Sequence, residues 1–137
     1  MGKYKRIIQR LLELQEMFYL GHRNLVDPWV KEREGTVSLL QIVGLDGESL
    51  LLKYEDGRLK YAQGDESPKH VFVCSGDTFL DLIAEPTGEN LRRKVTKGHF
   101  YIRDAPTGEI NLVEMTRWVR AFEALGRVAK HALLGEK

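Results

Sequence analysis

The sequence has one cysteine, four prolines and no apolar run long enough to cross a bilayer. A lone Cys74 excludes an internal disulfide, so burial and hydrogen bonds must hold the fold, and this suits a reducing compartment. Lys3, Lys5, Arg6 and Arg10 give the N-terminus a basic start, but Glu13 and Glu16 interrupt the apolar residues that follow, which a signal-peptide core would not tolerate. The expected location is cytoplasmic. Net charge is nearly absent too: 21 Lys+Arg against 20 Asp+Glu leave +1, with no global field to draw in nucleic acid or acidic lipid. The spacings of familiar chemistry are also missing. His22, His70, His99 and His131 lack the i, i+4 or cysteine-paired arrangement of a zinc site, and Cys74 has no acid or base near it in sequence. Gly44, Gly47 and Gly57 belong to hairpin turns and not to a phosphate loop. These absences predict a protein that is not an enzyme, with no metal, no cofactor and no nucleic-acid partner.

What is present is ordinary for a soluble globule. The chain has 137 residues, 42% of them hydrophobic and 30% charged, enough to bury a core without metal or disulfide staples. One domain, 1–137, is expected in three segments: an N-terminal helix over 1–21, a meander with crossover helices over 35–104, and a C-terminal helix over 111–133. From Tyr4 to Leu20, residues Tyr4, Ile7, Ile8, Leu11, Leu12, Leu14, Phe18 and Tyr19 recur at helical spacing. Asp27-Pro28 offers an N-cap with proline at the first helical position, so a short turn through Trp29 and Val30 is expected before Gly35.

Between Thr36 and Cys74 the period changes to two, and breaks at Asp46-Gly47, Asp56-Gly57 and Gly64 mark four strands. A two-residue Asp-Gly turn fixes register through its positive φ angles. With Asp56-Gly57 as the turn, Tyr54 faces Leu59, Leu52 faces Tyr61, and Glu55 faces Arg58 on the other side. The same rule at Asp46-Gly47 sets Val43 against Leu50, Gln41 against Leu52 and Leu39 against Tyr54. A slip of one residue would reverse the buried face. Ser75-Gly76-Asp77-Thr78 starts a capped helix that Pro86 ends. Thr87 caps a second, with Glu89 near its start, Lys94 and Lys97 near its end and Gly98 as its stop. His99 to Asp104 is a fifth strand. Asn111 and Glu114 have capping-box spacing before a final helix whose stripe is Met115, Trp118, Val119, Phe122, Leu125, Val128, Ala129 and Ala132.

From Gly35 through Arg103 this order of events, with "SLLLKYEDGRLKYAQG", "HVFVCSGDTFLDLI" and "KGHFYIR", resembles the sterol carrier (non-specific lipid-transfer) family. The most specific piece is Ser75 to Ile83, where a strand turns directly into a helix. The resemblance implies an α+β fold: a five-stranded antiparallel sheet with amphipathic helices on one face, enclosing an apolar tunnel for sterols, fatty acids or fatty acyl-CoA. The chain departs from the family pattern at Asp104, where a glycine is common after the last strand, and in the longer turn from Asp104 to Ile110.

The function expected on that basis is binding or carrying an apolar ligand between the sheet and the C-terminal helix. Phe79, Leu82, Ile83, Phe100, Ile102, Trp118, Val119 and Phe122 are the candidate lining, and Gln41 is the candidate head-group contact, an amide that the register above sets among apolar residues. The same apolar set also reads as plain core. Arg92, Arg93, Lys94 and Lys97 read either as a receiver of acyl-CoA phosphates or as a solvated helix end. The wide apolar stripe of the first helix is a candidate homodimer seam, with membrane contact at most transient because Glu13 and Glu16 oppose it. The alternative function is a dimeric, non-enzymatic interaction or regulatory module with a filled core.

Overall fold

The computed structural model describes the backbone of residues 2–21, 23–62 and 64–134, and the side chains within these spans except 16–26 and 125–134. Expectations for Phe18, Tyr19, His22, Leu125, Val128, Ala129, His131 and Ala132 as side chains fall outside those described.

Among the described residues five helices and five strands follow one another. The first helix, α1, spans Lys3–Gly21 and α2 spans Arg23–Arg33. Strands β1 (Val37–Val43), β2 (Glu48–Glu55), β3 (Arg58–Tyr61) and β4 (His70–Ser75) come next. Helices α3 (Gly76–Ala84) and α4 (Gly88–Thr96) lead to β5 (Phe100–Asp104) and α5 (Leu112–Leu134). The sheet order is β3-β2-β1-β4-β5.

The sheet is mixed, which corrects the all-antiparallel expectation: β1 and β4 are parallel, and the other three pairings are antiparallel. The expected meander therefore holds only through β1-β2-β3. The chain then crosses from the β3 edge to lay β4 beside β1, a non-local choice that no turn residue announces. Lys53 on β2 holds this crossing segment through Glu66, at 2.6 Å.

The β2-β3 hairpin has the predicted register, with Tyr54 opposite Leu59, Leu52 opposite Tyr61 and Glu55 opposite Arg58. Asp56 at φ 56° and Gly57 at φ 75° supply the two positive angles that this tight turn needs. At Asp46-Gly47 the expectation fails. The turn closes one step earlier, with the Gly47 amide donating to the Gly44 carbonyl at 3.1 Å and Gly44 at φ 118°. Gly47 is required for a different reason: a Cβ there would lie 2.5 Å from the Ile42 carbonyl oxygen. Gln41 consequently pairs with Ser49, and Leu40 with Leu50. The shift of three residues is odd, so it turns every β1 side chain to the opposite face from the one predicted.

The inward face of the sheet carries Leu40, Ile42, Leu50, Leu52, Phe72, Cys74, Phe100 and Ile102, which pack with Tyr4 and Ile8 of α1, Phe79 and Leu82 of α3, Leu91 of α4 and Met115 and Val119 of α5. Side chains four residues apart on one helix face explain the α1 contribution. Helix α1 has no acidic residue in its first turn. Its opening amides are capped from a distance, because Glu48 of β2 accepts from the Tyr4 and Lys5 backbone N–H groups at 2.9 and 3.1 Å. Gln15 of α1 pairs with the β3 backbone, donating to the Leu59 carbonyl at 2.7 Å and accepting from its amide at 3.0 Å. This amide covers an edge that would otherwise offer unpaired groups.

Helix α2 begins at Arg23, so Pro28 lies inside it and not at its first position. The missing proline N–H is outweighed by what the helix secures: Val30 and Arg33 are buried, and Trp29 stacks edge-on against Trp118 at 5.0 Å. The α3 start is as expected, with the Ser75 hydroxyl accepting from the Thr78 amide at 3.2 Å. Gly76 in that motif makes room for the Tyr4 hydroxyl, which any Cβ would strike. Thr87 caps α4 by accepting from Asn90, and Gly98 ends it at φ 74°. Asn111 caps α5 by accepting from the Glu114 amide at 2.9 Å. Glu114 does not return the bond to Asn111; its carboxylate is used elsewhere.

Candidate functional site

The helices do not fill the space above the sheet. A cavity of about 190 Å³ lies there, bounded by Leu40, Leu52, Leu59, Phe72 and Cys74 from the strands and by Ile8, Phe79, Leu82, Leu91 and Phe122 from the helices, almost without polar surface. The cover is shared among four helices. Of the described α5 side chains only Trp118 and Phe122 reach it, whereas α3 supplies Phe79, Leu82 and Ile83. Ile83 is 38% exposed, so the cavity opens to the outside beside α3.

Six of the nine side chains singled out from the sequence meet around this one space: Phe79, Leu82, Ile83, Phe100, Trp118 and Phe122. Three lie elsewhere. Gln41 is on the opposite face of the sheet because of the β1 register, level with Ser49 and Val73. Ile102 is fully buried against its neighbours. Val119 points from α5 toward α4, beside Val95 and Met115. Leu40 and Ser38, which take the inward places, carry no distinguishing sequence signal, since Val37-Ser-Leu-Leu-Gln-Ile-Val43 is apolar at both parities.

Cys74 lines the cavity, and burial pushes its thiol up to about 11. Because the thiolate is the reacting form, alkylation of the folded protein by N-ethylmaleimide at pH 8 should run about a hundredfold slower than alkylation of the chain unfolded in urea. Rates within about threefold of each other would show the thiol to be activated or open to solvent.

A second, smaller cavity of about 50 Å³ lies next to the first, toward α2 and the start of α5. Ser38, Tyr54, Phe72 and Trp118 line both. This space is polar. Arg33 and Glu114, 6% exposed each, form a buried ion pair across it at 3.0 Å, and the guanidinium carbon sits 3.1 Å above the centre of the Trp29 ring. Arg117 contacts the other Glu114 oxygen at 3.5 Å and Glu32 at 3.2 Å. The Trp29 indole donates to the Tyr54 hydroxyl at 3.2 Å. Burial raises the Tyr54 phenol, opposed by the Trp29 hydrogen bond, and it lowers the His70 imidazole, opposed mainly by the Glu114 charge. Tyr54 thus keeps its proton. In the sequence Arg33 is one charge among many, and nothing local marks it as buried.

The basic residues of α4 are mostly paired. Arg92 meets Glu123, Arg93 meets Glu89 at 3.4 Å and Lys94 meets Asp81 at 2.5 Å, so they tie α4 to its own turn, to α3 and to α5. No described helix is long and apolar enough to cross a membrane. Among the described residues no group of three or more His, Cys, Asp or Glu is placed to hold a metal ion.

No protein family and no curated protein matches the sequence. Solved structures do match the shape. The UbiJ-SCP2 ubiquinone synthesis protein aligns over 92% of this chain and 98% of its own, with a TM-score of 0.61 at 14% identity. The sterol carrier protein domain 2 of Helicoverpa armigera aligns over 84% of each chain, with a TM-score of 0.50 at 19% identity. The fold is therefore that of the sterol carrier proteins, an α+β arrangement with one parallel pair in its sheet.

Proposed function

We propose that this chain, which shares the sterol-carrier fold, binds and carries an apolar ligand in the cavity above its sheet, by burial alone and without covalent chemistry. The observation that carries the reading is the empty apolar volume. At about 24 cal/mol per Å³ for a sealed void, some 190 Å³ of unfilled space costs at most about 4–5 kcal/mol, against the 5–15 kcal/mol by which domains are ordinarily stable. A ligand offsets that cost. The volume also limits what enters. An apolar cavity of about 150 Å³ takes benzene, so this one encloses a single ring or a short acyl segment, and the rest of a longer lipid must emerge beside Ile83. Fatty acyl chains fit that description better than a whole sterol skeleton.

The test is uptake. Titration with N-phenyl-1-naphthylamine should give a saturable rise in fluorescence with about one site per chain, reversed by added fatty acid. A linear, non-saturating response, together with no lipid recovered by organic extraction of the natively purified protein, would remove the carrier reading.

The packed interaction module is the weaker reading because the interior is hollow. Its dimer seam rests on Leu11 and Leu14 of α1, which are 39% and 50% exposed.

A further inference from the structure

A groove of about 410 Å³ runs between α4 and α5, with Val95, Met115 and Val119 along its floor and Arg92, Arg120 and Glu123 on its rim. It shares no lining residue with the apolar cavity above the sheet. At one end Gly88 lets α5 come so close that any Cβ there would strike the Glu123 side chain, and Arg92 pairs with the same glutamate. Toward the start of α5, Leu112 stands 69% exposed, and its chain neighbours Ile110 and Val113 are exposed as well. Large apolar side chains left together in water mark a contact surface.

Charge narrows what the contact is with. On the rim Arg92 and Glu123 neutralise each other, and Arg93 is matched by Glu89 of its own helix. Arg120 and, at the end of α4, Lys97 are exposed and have no ion-pair partner among the described residues. The groove is therefore apolar below and positive above. Shape narrows it further. Met115 and Val119 are buried beneath the rim, so a flat bilayer would meet the guanidinium groups before the floor, whereas side chains projecting from a helix reach between them. From Leu112 to Glu123 helix α5 rises about 16 Å, the length of three helical turns. Three turns present apolar anchors at i, i+3 or i+4, and i+7.

We propose that the α4–α5 groove is a docking site for an acidic amphipathic helix of another protein. Its apolar stripe lies over Leu112, Val95 and Val119, and its carboxylates face Arg120 and Lys97. This goes beyond the carrier reading and is independent of it, since the groove is the same whether the cavity above the sheet is filled or empty.

The probes are two synthetic peptides of about 18 residues, long enough to hold a helix, with one leucine stripe and either Glu or Lys at the flanking positions. Fluorescence anisotropy should show saturable binding of the Glu peptide at one site per chain, at least about tenfold tighter than the Lys peptide. Arg120→Glu and Leu112→Glu should each weaken it about tenfold. Both positions are exposed, so these variants keep the fold, which circular dichroism checks. No saturable binding, equal binding of the two peptides, or binding that either variant leaves unchanged overturns the site. Vesicles of phosphatidylcholine and phosphatidylglycerol test the lipid alternative: variant-sensitive binding to them, with the Glu peptide unbound, overturns a protein partner. A peptide-free dimer in sedimentation that Arg120→Glu dissociates would put a second copy of this chain in the groove, and overturns it equally.

Discussion

Glu114→Ala is expected to destabilise the protein by about 3–5 kcal/mol, measured by urea unfolding at neutral pH. The size comes from what remains. Arg33 would stay buried, its side chain 7% exposed, with its guanidinium left to the Trp29 carbonyl and a more distant, half-exposed Glu32 carboxylate at 3.6 Å. Breaking a buried pair costs far more than the pair itself contributes, because the surviving charge has been taken out of water. The double variant Arg33→Met with Glu114→Leu should therefore recover most of the loss. The exposed pair between Arg93 and Glu89 provides the control, since Glu89→Ala should cost less than about 1 kcal/mol. If Glu114→Ala proved as mild as Glu89→Ala, the ion pair would have to be open to solvent, and the polar cavity would lose its buried floor.

Leu40→Trp combined with Leu82→Trp is expected to abolish probe uptake, a fall of at least about tenfold in affinity, while the protein remains folded. Both residues line the apolar cavity, one from the sheet and one from α3, so the added rings are directed into empty volume and not into packed neighbours. Overpacking a filled core ordinarily costs about 1–3 kcal/mol. Here the gain from occupying a void that costs at most about 4–5 kcal/mol opposes it, and the net change in stability should be small. Uptake unchanged in the folded double variant would place the ligand somewhere other than above the sheet. The neighbouring fully buried Leu91 is not a substitute for this test, since shortening it enlarges the void and weakens the fold together.

Much of the architecture is local and therefore readable. The Asp56-Gly57 hairpin, the Ser75 and Thr87 caps and the Gly98 stop each depend on a few adjacent residues whose backbone preferences act wherever the chain goes. Helical periodicity exposed the faces of α1 and α5 in the same way. Six of the cavity-lining side chains were legible because an inward stripe stays inward once its helix or strand is fixed.

The register of β1 and its pairing with β4 were not legible. The β1 segment is apolar on both sides, so the alternation that normally chooses a face is silent, and the choice fell to a four-residue loop in which Gly47 approaches the Ile42 carbonyl. That choice moved Gln41 out of the interior and Ser38 and Leu40 into it. The parallel pairing of β1 with β4 was equally hidden, because it joins segments whose partnership is decided only when the whole sheet is assembled.

The sequence by itself determined most of the elements, the caps of α3, α4 and α5 and most of the apolar side chains that surround the cavity, because those follow from steric preference and spacing along one stretch of chain. Only the tertiary structure decided that the volume above the sheet stays open and that Arg33 and Glu114 meet as a buried ion pair beside it. Both are properties of side chains that meet from distant segments, and their free energy exists only after the segments have met.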